Sequence, residues 1–215
     1  MIVEKTWKDI TLDQFIKIGE FMEVKDDYTM CNIIDTIWNV DSANMPISEF
    51  KEYKNSLKFM NDDIKPDTDI PSEITLNGHS YQTSYNLTEV KTAQYIDFQN
   101  YLKKDNVEYK DLLSVFVIPT GHNYNDGYDL NEVKSDIMSM PITQVYGLSF
   151  FLTVQFQAFI EIFPSCFKEE LMTMKIPEER KELILKELDK LDYSHLESFP
   201  ILLGYVENSV KPGNQ

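Results

Sequence analysis

The chain has 215 residues, 42% hydrophobic and 13% aromatic, which is enough for one substantial core and too apolar for a disordered tail. Its 36 acidic residues outnumber 20 basic ones, with Arg180 the sole arginine, and the formal net charge is −16. Reading a duplex needs a basic face with arginines, and an anionic membrane repels the same charge, so neither specific nucleic-acid binding nor membrane attachment is expected.

The first residues, Met1–Phe15, have neither the charged start nor the apolar run of a secretory leader. Thr11-Leu12-Asp13-Gln14 is a capping-box pattern, with the Thr hydroxyl and the Gln side chain placed to satisfy free N–H groups. Leu12, Phe15, Ile16 and Ile18 follow near helical spacing. A second helix is predicted over Asp27–Val40, with Met30, Ile33, Ile34 and Ile37 on one face. Pro46 opens a third, Ile47–Met60, carrying Phe50, Tyr53, Leu57 and Phe59.

Asn61–Glu73 holds five acids, two prolines and one lysine and reads as an exposed acidic linker. Ile74–Tyr81 then gives a small β-hairpin around Asn77-Gly78, a dipeptide that tolerates the positive φ of a two-residue turn. Thr88 is placed to cap a helix over Glu89–Leu102 that buries Val90, Ala93, Tyr95, Ile96 and Phe98. Another helix is predicted from Asp105-Asn106 up to Ile118, where Pro119 removes a donor. After a loop over Thr120–Tyr128, Asp129 caps a short helix to Met138.

Pro141 opens a long apolar helix that Pro164 ends, and its interruption by Gln155, Gln157 and Glu161 argues against a membrane span. Beyond it, Lys168–Met174 and Pro177–Lys190 are predicted helices, Phe199–Val206 an apolar segment and Asn208–Gln215 a flexible tail. The fold class is therefore mainly α. A compact helical domain carries the small hairpin and a helical C-terminal extension. In parts, residues 1–60 are helical, 61–87 linker and hairpin, 88–163 helical core, 164–207 the extension and 208–215 the tail.

Chemistry is scarce. GxxxxGK[ST], GxGxxG and GxSxG are all absent, so phosphate cradles and nucleophile elbows have no support. His79, His122 and His195 stand at no metal-ligand spacing, and Cys31 and Cys166 read as reduced thiols among apolar residues. Asn123, Asn125, Asp126 and Asp129 lack the EF-hand order, so their loop reads as Asn and Asp bonding their own backbone. No cofactor, metal or catalytic residue is expected. Tyr146, Phe150, Phe151, Phe156, Phe159 and Phe163 occupy more than one face of the long helix, which makes them candidates for a protein interface as well as for core.

Three stretches carry a resemblance: WKDITLDQFIKI, ITLNGHSYQTSYNLTEVKTAQYIDFQNYLK, and the segment from Leu112 through VFVIPTGHNY to Phe159. As a set they resemble small proteins from the structural-gene block of crAss-like and related tailed bacteriophages, some similar to tail-assembly chaperones. The resemblance covers Trp7 to Phe163. It implies a non-enzymatic protein packaged in the virion as cargo in the capsid or tail lumen and ejected with the genome. The alternatives it leaves are a cytoplasmic tail-assembly chaperone absent from the particle, or a binder of a host protein. Implied partners are portal, tail or capsid components and further copies of the chain. The implied location is the virion, and the host cytoplasm during assembly.

Overall fold

The computed structural model describes residues 2–24, 28–69, 71–83, 90–102, 104, 108–152, 168, 171–173 and 177–188. The fold is mainly helical with one small antiparallel sheet, as the sequence implies. Helix α1 (Leu12–Val24) starts at the capping box: Gln14 N–H donates to Thr11 Oγ1 at 3.2 Å, and Thr11 N–H donates to Gln14 Oε1 at 3.1 Å. It packs on α2 (Thr29–Trp38), where Ile33, Ile34 and Ile37 are buried. Asn39 ends α2 in the left-handed conformation, its N–H donating to the Asp35 carbonyl. Helix α3 (Ile47–Ser56) tightens into a 3-10 turn, Leu57–Asn61, before the acidic linker.

The sheet has the order β1-β2-β3. Strands β1 (Glu73–Leu76) and β2 (His79–Thr83) form the hairpin, with Ile74 opposite Tyr81 and Asn77 and Gly78 both at positive φ. Its alternation buries Ile74, Leu76, Tyr81 and Thr83 on one face. A third strand stands where the sequence predicts the end of a helix. Helix α5 is only Tyr109–Leu113, and Val117–Pro119 turns extended as β3, pairing with Thr83–Tyr81 of β2. The β-branched residues around fully buried Phe116 suit a strand, and Pro119 is tolerated on an edge strand.

Helix α4 (Thr92–Leu102) also differs from expectation. Phe98 is buried, but Ala93 and Ile96 are exposed, and Gln94 is buried in their place. The Gln94 amide donates to the Val115 carbonyl and accepts from Lys91 N–H, so both ends of a polar side chain are satisfied inside. The predicted Thr88 cap and the side chain of Tyr95 lie outside the described residues. Asp129 caps α6 (Leu130–Ile137) by accepting from Asn131 N–H at 2.8 Å. Residues 142–152 form helix α7, and Glu178–Leu188 form helix α8 in the C-terminal extension. Most of the extension, the apolar segment Phe199–Val206 and the tail lie outside the described residues.

Among the described residues one hydrophobic core runs from Trp7 to Leu152 and draws on the N-terminal helices, the linker, the sheet and helices α4 to α7. Segment Ile10–Asp13 is tied to the start of α7: Ile142 N–H donates to the Ile10 carbonyl, and Leu12 and Asp13 donate to those of Met140 and Met138. Trp7 stacks edge-on against Phe15 and Phe59, while its indole N–H donates to the Asp62 carbonyl. The N-terminus thereby fixes both α7 and the linker that lies along it.

Candidate functional site

Helix α7 meets three surroundings at once. Ile142, Val145, Leu148 and Leu152 fall at helical spacing and point into the core. Thr143 and Gly147, one turn apart, lie under the linker. Asp67 N–H donates to the Thr143 carbonyl at 3.0 Å, and the Thr143 hydroxyl donates to the Asp67 carboxylate at 3.0 Å. Gly147 lets the chains touch, since a Cβ there would sit 2.0 Å from the Asp67 carbonyl oxygen. A mid-helix glycine costs roughly 0.5–1 kcal/mol relative to alanine, and close backbone approach is the physical reason for one here.

The same stripe continues onto Phe150 and Phe151, where the linker and helix diverge around a hollow of about 270 Å³. Pro66–Asp69 wall one side, and Gly147, Phe150 and Phe151 the other. Phe150 is 61% exposed and Phe151 37%. Lys8, itself largely exposed, approaches Asp67 at 3.3 Å, and Asp69 is exposed.

Of the residues singled out in the sequence, Tyr146 packs half-buried against the core, and Phe150 and Phe151 lie together at the hollow. Phe156, Phe159 and Phe163 lie outside the described residues. The isolated glycine in an otherwise helical run was the one sequence signal for the linker contact.

A second constellation had no local signal at all. Asp136, 5% exposed, accepts from Tyr81 Oη at 2.5 Å, from His79 Nδ1 at 2.7 Å and from Asn77 Nδ2 at 2.9 Å. Burial pushes the Asp136 carboxyl up, but the hydrogen bonds from Tyr81, Asn77 and His79 outweigh it and hold the acid below its ordinary value. The hydrogen bond to Asp136 raises His79, with Glu132 at 3.7 Å adding to the effect. Burial, then Asp136, pushes the Tyr81 phenol up, so it stays a donor. Asp136 lies in the last turn of α6, where the helix dipole disfavours an anion, and these donors offset that cost. The knot fastens the hairpin to α6.

A third cluster joins α4, α5 and α6. Asp111 holds Lys134 at 2.8 Å and Lys104 at 3.2 Å, and both ammonium groups lie over the Tyr101 ring. Burial raises the Asp111 acid, but the two lysines more than reverse that. In the loop after β3, Gly121, Asn125 and Gly127 all have positive φ, and Asp126 N–H donates to the Asn123 carbonyl. Tyr124 leaves that loop to donate to Asp97 of α4 at 2.7 Å.

Among the described residues no group of three or more His, Cys, Asp or Glu is arranged to hold a metal ion. None of the described helices is long and apolar enough to cross a membrane. Cys31 is a free, half-buried thiol, and Cys166 lies outside the described residues. The polar clusters satisfy one another and join elements. The hollow beside Phe150 instead offers apolar surface to solvent. No family model, curated protein or solved structure matches this chain.

Proposed function

We propose that this chain is a non-enzymatic protein of a tailed bacteriophage. It is packaged in the capsid or tail lumen and ejected with the genome, and it acts by docking on portal, tail or capsid proteins. The observation that carries this reading is Phe150, 61% exposed on a helix whose Ile142, Val145, Leu148 and Leu152 are buried, and beside a preformed hollow. The polar clusters favour the same reading, because each is spent on joining secondary structure. A net charge of −16 limits adhesion to packaged DNA.

A second reading uses the same observation. As a cytoplasmic tail-assembly chaperone, the chain would cover a hydrophobic helix of a tail component with its aromatic face and leave before the particle is complete. Quantitative mass spectrometry of gradient-purified, nuclease-treated particles against infected-cell lysate separates the two. A stoichiometric amount in particles supports the packaged role. Abundance in lysate, absence from particles and a stable complex with a tail protein would replace it with the chaperone.

A further inference from the structure

We infer that the hollow between Pro66–Asp69 and Phe150–Phe151 takes a bulky apolar side chain flanked by Lys or Arg on a partner protein. This rests on the docking role proposed above and names the chemistry of the partner segment.

Size, rigidity and charge each contribute. A cavity of roughly 150 Å³ is enough for a benzene-sized ring. The hollow, at about 270 Å³, therefore has room for one aromatic or large aliphatic side chain. Its walls are held before any partner arrives. The linker is tied to α7 through both the backbone and the side chain of Asp67, with Gly147 pressed against it. Preorganised walls lower the ordering cost of association.

The rim then selects by charge. Asp67 and Asp69 line the hollow itself; Lys8 approaches Asp67, but the five acids between Asn61 and Glu73 still outnumber Lys8 and Lys65. Phe150 supplies the apolar contact, and the acids reward cationic neighbours of the inserted side chain. A second copy of this chain is a poor occupant, because each copy carries −16 and brings the same acidic linker to the contact.

The test titrates two synthetic amphipathic peptides into the full-length, isotope-labelled chain. They are alike except that one flanks a central Phe with Lys and the other with Glu. The Lys peptide should bind about ten-fold or more tightly, and its binding should weaken with salt. Amide shifts should centre on Thr68, Asp69, Gly147 and Phe150. Asp69→Lys and Phe150→Ser, both at exposed positions, should each weaken it by about five-fold or more. Glu49→Lys, an exposed charge change on α3, should weaken it far less.

Equal affinity for the two peptides overturns the inference, as do shifts centred elsewhere. So does an equal loss in Glu49→Lys, which would mean general attraction to an acidic protein. Concentration-dependent dimerisation abolished by Phe150→Ser would assign the hollow to a second copy instead. The phage role fails separately. A chain found in particles whose hollow ignores the Lys peptide keeps its function and loses this site. A chain that binds the peptide at the hollow but associates with no phage structural protein keeps the site and loses that function.

Discussion

Gly147 and the carbonyl oxygen of Asp67 are in such close contact that a Cβ at position 147 would lie 2.0 Å from that oxygen. In an exposed helix, Gly→Ala stabilises by roughly 0.5–1 kcal/mol. Here the sign should reverse. Gly147→Ala should destabilise by about 1–3 kcal/mol, because backbone rather than a flexible side chain must move. Urea unfolding measures it, and a stabilised variant would mean that the linker does not lie on α7.

Asp136 should matter more than its surface neighbours. Asp136→Ala leaves the buried Tyr81 hydroxyl, together with Asn77 and His79, without their acceptor. A cost of about 2–4 kcal/mol is expected, and about 1 kcal/mol for Tyr81→Phe. The two changes should be strongly non-additive, since both break the same contact. Denaturant melts of the double-mutant cycle would expose an additive pair.

The knot also has a pH window. Asp136 is held below its ordinary value in the fold, so its contribution is present above the unfolded carboxylate range and is lost as pH falls through the depressed value. His79 is raised above 6.5, so its contribution is complete below that value and is lost as pH rises through the raised one. The charge-assisted clamp is therefore at full strength between about pH 4 and 6.5. In thermal melts across pH, wild type should exceed His79→Gln most in that window, with the gap narrowing on the alkaline side. A gap that widens there would contradict the assigned pairing.

The Tyr109 hydroxyl is buried with no hydrogen-bond partner among the described residues, and burial raises its pKa well above the ordinary phenol value. Removing it costs no bond. Tyr109→Phe should be neutral or stabilise by up to about 1 kcal/mol. A loss of more than that in the unfolding midpoint would reveal a partner for the hydroxyl.

The features legible in the sequence were the local ones. The Thr11–Gln14 capping box, the Asn77-Gly78 turn and the Asp129 cap each lie within a few residues of what they bond, and each is found where expected. Strand β3 is not legible in the sequence because a short apolar run before a proline fits a helix end as well as a strand, and only pairing with β2 decides. Gln94 went inside, and Ile96 out, because the Val115 carbonyl needed a donor, a requirement set some 20 residues away. The Asp136 knot spans 55 to 59 residues, so periodicity could not foresee it. The aromatic stripe was legible as apolar surplus on α7, but the hollow beside it depends on where the acidic linker lies.

The most direct test of the account is the number of copies per purified particle when wild type or Phe150→Asp is supplied in trans to a phage lacking the gene. Phe150 is exposed, so the variant should fold with stability within about 0.5 kcal/mol of wild type. Wild type should enter particles in stoichiometric amounts, and the folded variant should be largely excluded. Equal incorporation of the two would contradict docking through the α7 face, and absence of wild type from particles would contradict the packaged role itself.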